Sequence, residues 1–87
     1  MEAYSFTATD LIPDRTYRVI AAFQDYDGRS HEVGETFRFL SKNFVPYDDG
    51  LSLYVDYAGR THQIRLQWRP DAQGKVIDEF SQHVEIV

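Results

Sequence analysis

The residues with chemical potential are three histidines, several paired carboxylates and a set of loop aromatics. His31, His62 and His83 could bind a metal, but no two have the close spacing of a preformed site. The chain holds no cysteine, so a zinc site would need carboxylate ligands that nothing in the spacing supplies. Ordinary, partly exposed histidines and no metal are the expectation. Asp25-x-Asp27-Gly28 imitates the opening of a calcium loop, which also needs Gly at its sixth position and Glu at its twelfth. Here the fifth, sixth and twelfth positions are Arg29, Ser30 and Thr36, which leaves a turn. No Gly-x-Ser-x-Gly elbow surrounds any serine. Asp48-Asp49 could in principle serve acid–base chemistry, yet adjacent aspartates before Gly50 read as a solvated turn into a strand. The sequence points away from an enzyme and calls for no cofactor.

Binding surfaces are the remaining class. The net charge of −5 disfavours nucleic acid, because phosphate contacts dominate such affinity. Against that stands a local group of Tyr54, Arg65 and Arg69, whose rings and guanidiniums could stack bases. A solvated strand face with a cross-strand Tyr54–Arg65 pair is the simpler reading. Aromatics and acids also concentrate around Gly28 and Gly50: Tyr26, Phe44 and Tyr47 lie beside Asp25, Asp27, Glu32, Glu35, Asp48 and Asp49. Aromatic grooves beside acidic loops are how SH3-type barrels take extended peptides with basic residues. Phe44 is better explained by closing one end of the fold. Candidate partner-binding residues are therefore Tyr26, Asp25, Asp27, Tyr47, Asp48 and Asp49.

The elements that must position these groups are short. The 87-residue chain suits one domain, with a core from about residue 3 to 84. Folding at this length removes only roughly 60–65% of the unfolded surface from water. Thirteen Phe, Tyr and Trp residues supply enough apolar surface to argue against disorder. The longest apolar run, Val19–Phe23, is far too short to span a membrane. No charged-then-apolar segment opens the sequence, so a cytoplasmic protein is expected.

Single Gly and Pro residues punctuate segments with strand spacing. Thr16–Asp25 alternates with period two and reads as a first strand. Gly34 begins a second carrying Phe37 and Phe39, with a bend near Ser41–Asn43 and an end at Pro46. Between Leu51 and Trp68 the alternation predicts a hairpin. A type II′ turn at Gly59-Arg60 would pair Val55 with Ile64, Leu53 with Leu66, and Leu51 with Trp68, placing five aliphatics and the Trp on one face. Ser52, Tyr54, Asp56, Gln63, Arg65 and Gln67 take the other. Val76, Ile77, Phe80 and Val84 form a helical stripe, so a helix of about eight to ten residues should begin at or after Gly74. Val84–Val87 alternates again as a short terminal strand. The fold class is mainly β: a small SH3-like antiparallel barrel or curled sheet with one short C-terminal α-helix, or an open α+β roll.

The segments LIPDRTYRV, FQDYDG, HEVGETFRFL, NFVPYDDGLSLYV and IRLQW resemble a family of small bacterial domains of unknown function, and the resemblance covers most of the chain, from Leu11 to about Phe80. PYDDGLSLYV is the most specific piece. The resemblance implies a compact single domain, with an SH3-like barrel expected, and carries over no catalytic residue.

The functional expectation is a protein-interaction module binding a basic or extended segment through its acidic–aromatic rim, as a monomer or weak homodimer. The alternatives are a small acidic inhibitor or immunity-type protein covering a basic enzyme, and a weak single-strand nucleic-acid binder.

Overall fold

A computed structural model describes residues 5–87. Seven strands and one short helix run in the order β1 (Thr16–Val19), β2 (Phe23–Gln24), β3 (Ser30–His31), β4 (Thr36–Val45), β5 (Gly50–Tyr57), β6 (Arg60–Gln67), α1 (Gly74–Asp78) and β7 (Val84–Ile86). Five form one antiparallel sheet, ordered β6-β5-β4-β1-β7, and β2 pairs with β3 in a separate ribbon. The architecture is a mainly β, curled sheet with one short helix, and the sheet stays open rather than closing into a barrel. A backbone bond from Tyr26 N to Arg65 O, 2.7 Å, lays the β2–β3 turn against β6.

The alternation of β5 and β6 sets the core. Leu51, Leu53, Val55, Ile64 and Leu66 are all buried on one face, packing with Tyr17, Phe37 and Phe39 from β1 and β4. Burying such a face is the main stabilising term for a sheet this size. The hairpin turn differs from expectation. Ala58 and Gly59 are its central residues, with φ of 49° and 87°, the all-positive pair of a type I′ turn whose twist matches the strands. The pairs become Tyr57 with Arg60, Val55 with His62, Leu53 with Ile64, and Leu51 with Leu66. This shift preserves the apolar face but puts Trp68 outside the ladder, where it is 37% exposed.

The expected first strand breaks after Val19. Ile20 N and Ala21 N both turn away to His83 O, at 2.7 and 3.2 Å, so the chain leaves the sheet and Phe23 enters the core from the ribbon. The bend expected at Ser41–Asn43 is instead an extra residue, Leu40, between the paired positions of Phe39 and Ser41. A bulge of this kind lets a strand twist without ending it, and β4 runs on to Val45.

The helix is shorter than its stripe suggested. It spans Gly74–Asp78 with no side-chain cap, and the chain tightens into a 3-10 turn at Phe80–Gln82. Ile77, Phe80 and Val84 still reach the core, so the apolar spacing serves three different local conformations. Gly74 lets α1 start close against the segment that follows β6: a Cβ there would lie 2.7 Å from Arg69 O.

A candidate binding groove on the outer sheet face

Residues alternating with the core residues of β5 and β6 point to the opposite face, and there they line a groove of about 520 Å³. Tyr54, Gln63 and Arg65 line it together with Ser52, Asn43, Val45 and Gln67. Tyr26 contributes from the β2–β3 turn and Asp48 from the 3-10 turn Pro46–Asp48. Two loops far apart in sequence thus converge on one sheet face. The volume falls within the range of small-ligand sites, but the groove is open and mostly polar-lined.

The electrostatics of the groove are settled by local pairs. Arg65 Nη1 lies 3.2 Å from Asp27 Oδ1, and the guanidinium sits 5.6 Å from the centre of the Tyr26 ring. Among the described residues, the one cation lining the groove therefore already has a carboxylate and an aromatic face. Ser52 rather than Tyr54 stands opposite Arg65, and Tyr54 faces Gln63, so the expected Tyr54–Arg65 cross-strand pair does not form. Arg69 lies beyond the strand and bonds Asp49 Oδ2 at 3.1 Å. The Asp48 carboxylate has no hydrogen-bond or ion-pair partner among the described residues, although its carbonyl accepts from Gln67 Nε2 at 3.0 Å.

The remaining rim candidates separate. Tyr47 is 95% exposed and projects from the 3-10 turn. Asp49 takes the left-handed conformation at φ 50°, and its carbonyl accepts from Trp68 N at 2.7 Å, so it closes the end of the β5–β6 hairpin. Phe44, half exposed, packs edge-on to Trp68 with ring centres 5.8 Å apart.

Asp25 is the rim candidate that faces inward. It is buried, and its Oδ1 accepts from the amides of Asp27 and Arg29 at 3.0 Å each. Its Oδ2 lies 2.9 Å from His31 Nε2, and His31 Nδ1 lies 2.7 Å from Glu35 Oε2. His31 is therefore a buried strand residue, not the partly exposed loop residue expected. Both of its ring nitrogens face carboxylate oxygens. Tyr57 donates its hydroxyl to Glu35. Burial first, and the Glu35 carboxylate second, push the Tyr57 phenol well above its ordinary value. The cluster ties the β2–β3 ribbon to the main sheet. Among the described residues, no group of three or more His, Cys, Asp or Glu side chains is placed to hold a metal ion. No helix among them is long and apolar enough to cross a membrane.

The groove's amides, Asn43, Gln63 and Gln67, were not singled out as binding residues from sequence. Their signal was the alternation itself, which assigned Gln63 and Gln67 to the outer face. What sequence could not supply was the loop convergence that turns this face into a groove.

A family model for a domain of unknown function, DUF3601, matches residues 3–87. Among solved structures, an integron cassette protein from the mobile metagenome of Vibrio cholerae is similar with a TM-score of 0.88 and 34% sequence identity. The alignment covers 97% of this chain and 94% of that one. No curated protein matches the chain.

Proposed function

The chain belongs to the DUF3601 family of unassigned function, and we propose from its own geometry that it is a non-enzymatic protein-interaction module taking an extended, basic partner segment in the outer groove. The observation that carries this reading is that Tyr26 and Asp48 line one groove with Tyr54, Gln63 and Arg65. Each group suits part of a polypeptide. Side-chain amides of Asn43, Gln63 and Gln67 can donate to and accept from peptide groups. The tyrosine rings offer flat amphipathic contact area at low entropic cost. The Asp48 carboxylate offers a counter-charge to a lysine or arginine, and the net charge of −5 favours encounter with a basic partner. The same rings could stack nucleic-acid bases, but Arg65 is tied to Asp27 and no other cation among the described residues lines the groove.

The test uses a pool of short linear peptides, each carrying one lysine, retained on the immobilised chain. Retained peptides should lose about tenfold in affinity for Tyr54→Ala, the scale of an aromatic anchor, and comparably for Asp48→Lys, while both melting curves stay close to wild type. A short single-stranded oligonucleotide should bind weakly at most at low salt. Peptides retained equally by both variants, or none retained by wild type, would sink the proposal.

A further inference from the structure

Strand β4 outruns its neighbour. On the β1 side its pairing covers Thr36, Phe37 and Arg38 and ends with Phe39, whose N donates to Arg15 O at 3.0 Å and whose O accepts from Asp14 N at 2.7 Å. After the extra residue Leu40, the segment Ser41–Val45 pairs with β5 alone. No other backbone among the described residues bonds its free side, and all five residues are exposed. A strand of five residues with one side unpaired among the described residues presents about 17 Å of backbone donors and acceptors. Proteins ordinarily guard such an edge with charge. The one charged side chain on it, Lys42, is drawn aside to the carbonyl of Thr9.

The two faces of this segment differ. Lys42 and Phe44 pair with Leu53 and Leu51, so they share the core face, where Phe44 and Trp68 form an exposed aromatic corner. Ser41, Asn43 and Val45 share the face of Ser52 and Tyr54, and Asn43 and Val45 line the outer groove. Asp48, with its unpartnered carboxylate, follows directly beyond the Val45 end.

The geometry points to β-strand addition at Ser41–Val45 as the mode by which an extended partner segment is held. The inference rests on the groove reading and gives it a register. An added strand pairs its backbone with β4 and alternates its side chains between the Phe44–Trp68 corner and the groove. Its recognisable chemistry is an apolar residue at alternate positions, with a lysine or arginine at the end beside Asp48. A second copy of this chain is a poorer occupant, because five residues fall well short of the roughly 20–30 a side found in stable interfaces.

The experiment uses the full chain and peptides retained from the lysine-bearing pool. Amide hydrogen exchange within Ser41–Val45 should slow when a retained peptide binds, whereas exchange in β7 should not. Retained peptides carrying a backbone N-methyl group at successive positions should show alternation: about tenfold or more lost where the amide faces β4, and little lost between. The methyl groups are on the ligand, so folding of the protein is not at stake. Retained peptides that respond to Tyr54→Ala but leave Ser41–Val45 exchange unchanged would overturn strand addition and leave the groove reading standing. Slower exchange that rises with protein concentration in the absence of peptide would make the occupant a second copy and overturn the inference. An empty pool would remove both readings together.

Discussion

Nε2 of His31 lies 2.9 Å from Oδ2 of Asp25, with both side chains all but sealed from water. Glu35 holds the opposite nitrogen, so one imidazole joins the turn after β2 to the loop before β4. Breaking a buried pair by removing one partner leaves an uncompensated charge and is strongly destabilising. His31→Leu, which keeps side-chain bulk, should lower unfolding free energy by about 3 kcal/mol in urea denaturation. A loss below about 1 kcal/mol would mean that Asp25 and Glu35 relax to water without the ring.

Tyr57 gives the pH dependence a sign. Its phenol is raised in the fold by burial and by the Glu35 carboxylate, so the unfolded chain releases that proton first as pH rises. The associated stability is complete below about pH 10, the ordinary tyrosine value, and declines above it as the unfolded state ionises. In ultraviolet phenolate titrations, Tyr57→Phe should leave the native curve near pH 10 almost unchanged. Among six tyrosines, it should remove one phenolate's share of the unfolded amplitude. A native curve that loses the same share would contradict a raised Tyr57 phenol.

The β5–β6 turn holds Ala58 at φ 49°, where a Cβ crowds the backbone. Asparagine tolerates this region far better and is favoured before glycine in type I′ turns. Ala58→Asn should stabilise the protein by about 0.5–1 kcal/mol, read as a higher denaturation midpoint at an unchanged slope. A lower midpoint would contradict the turn assignment.

Gly74 tests packing against propensity. In an exposed helix, Gly→Ala stabilises by up to about 1 kcal/mol. Here the new methyl would meet backbone at Arg69 O, 2.7 Å away. Gly74→Ala should therefore destabilise by about 1–3 kcal/mol, the scale of overpacking. Thermal melts of the two proteins decide the sign.

How far the sequence revealed this molecule depended on the range of the interaction. Period-two alternation assigned Leu51, Leu53, Val55, Ile64 and Leu66 to the core, because a side chain's face depends only on its position along the strand. The turn differs by one position because Gly59 is the residue whose type suits positive φ, and nothing local shows that Ala58 adopts it too. Trp68 consequently falls outside the ladder. The Asp25-x-Asp27-Gly28 turn was legible through its amide-capping carboxylate. The other oxygen of Asp25, aimed at His31, was not, since that contact exists only once the ribbon folds back. The groove followed the same rule: its strand residues came from alternation, and the arrival of Tyr26 and Asp48 came from tertiary structure.

The strand order has a kinetic corollary. The hairpins β4–β5 and β5–β6 join neighbours in sequence and close short loops. The β1–β7 pair instead brings together Arg18 and Glu85, 67 positions apart, and that closure carries a larger entropy loss before any contact rewards it. The three-strand meander can thus assemble early, with the β1–β7 seam zipping last. Until then the outer edge of β1 stands bare, so the slowest step in folding is also the interval in which this chain is most open to pairing with a neighbour.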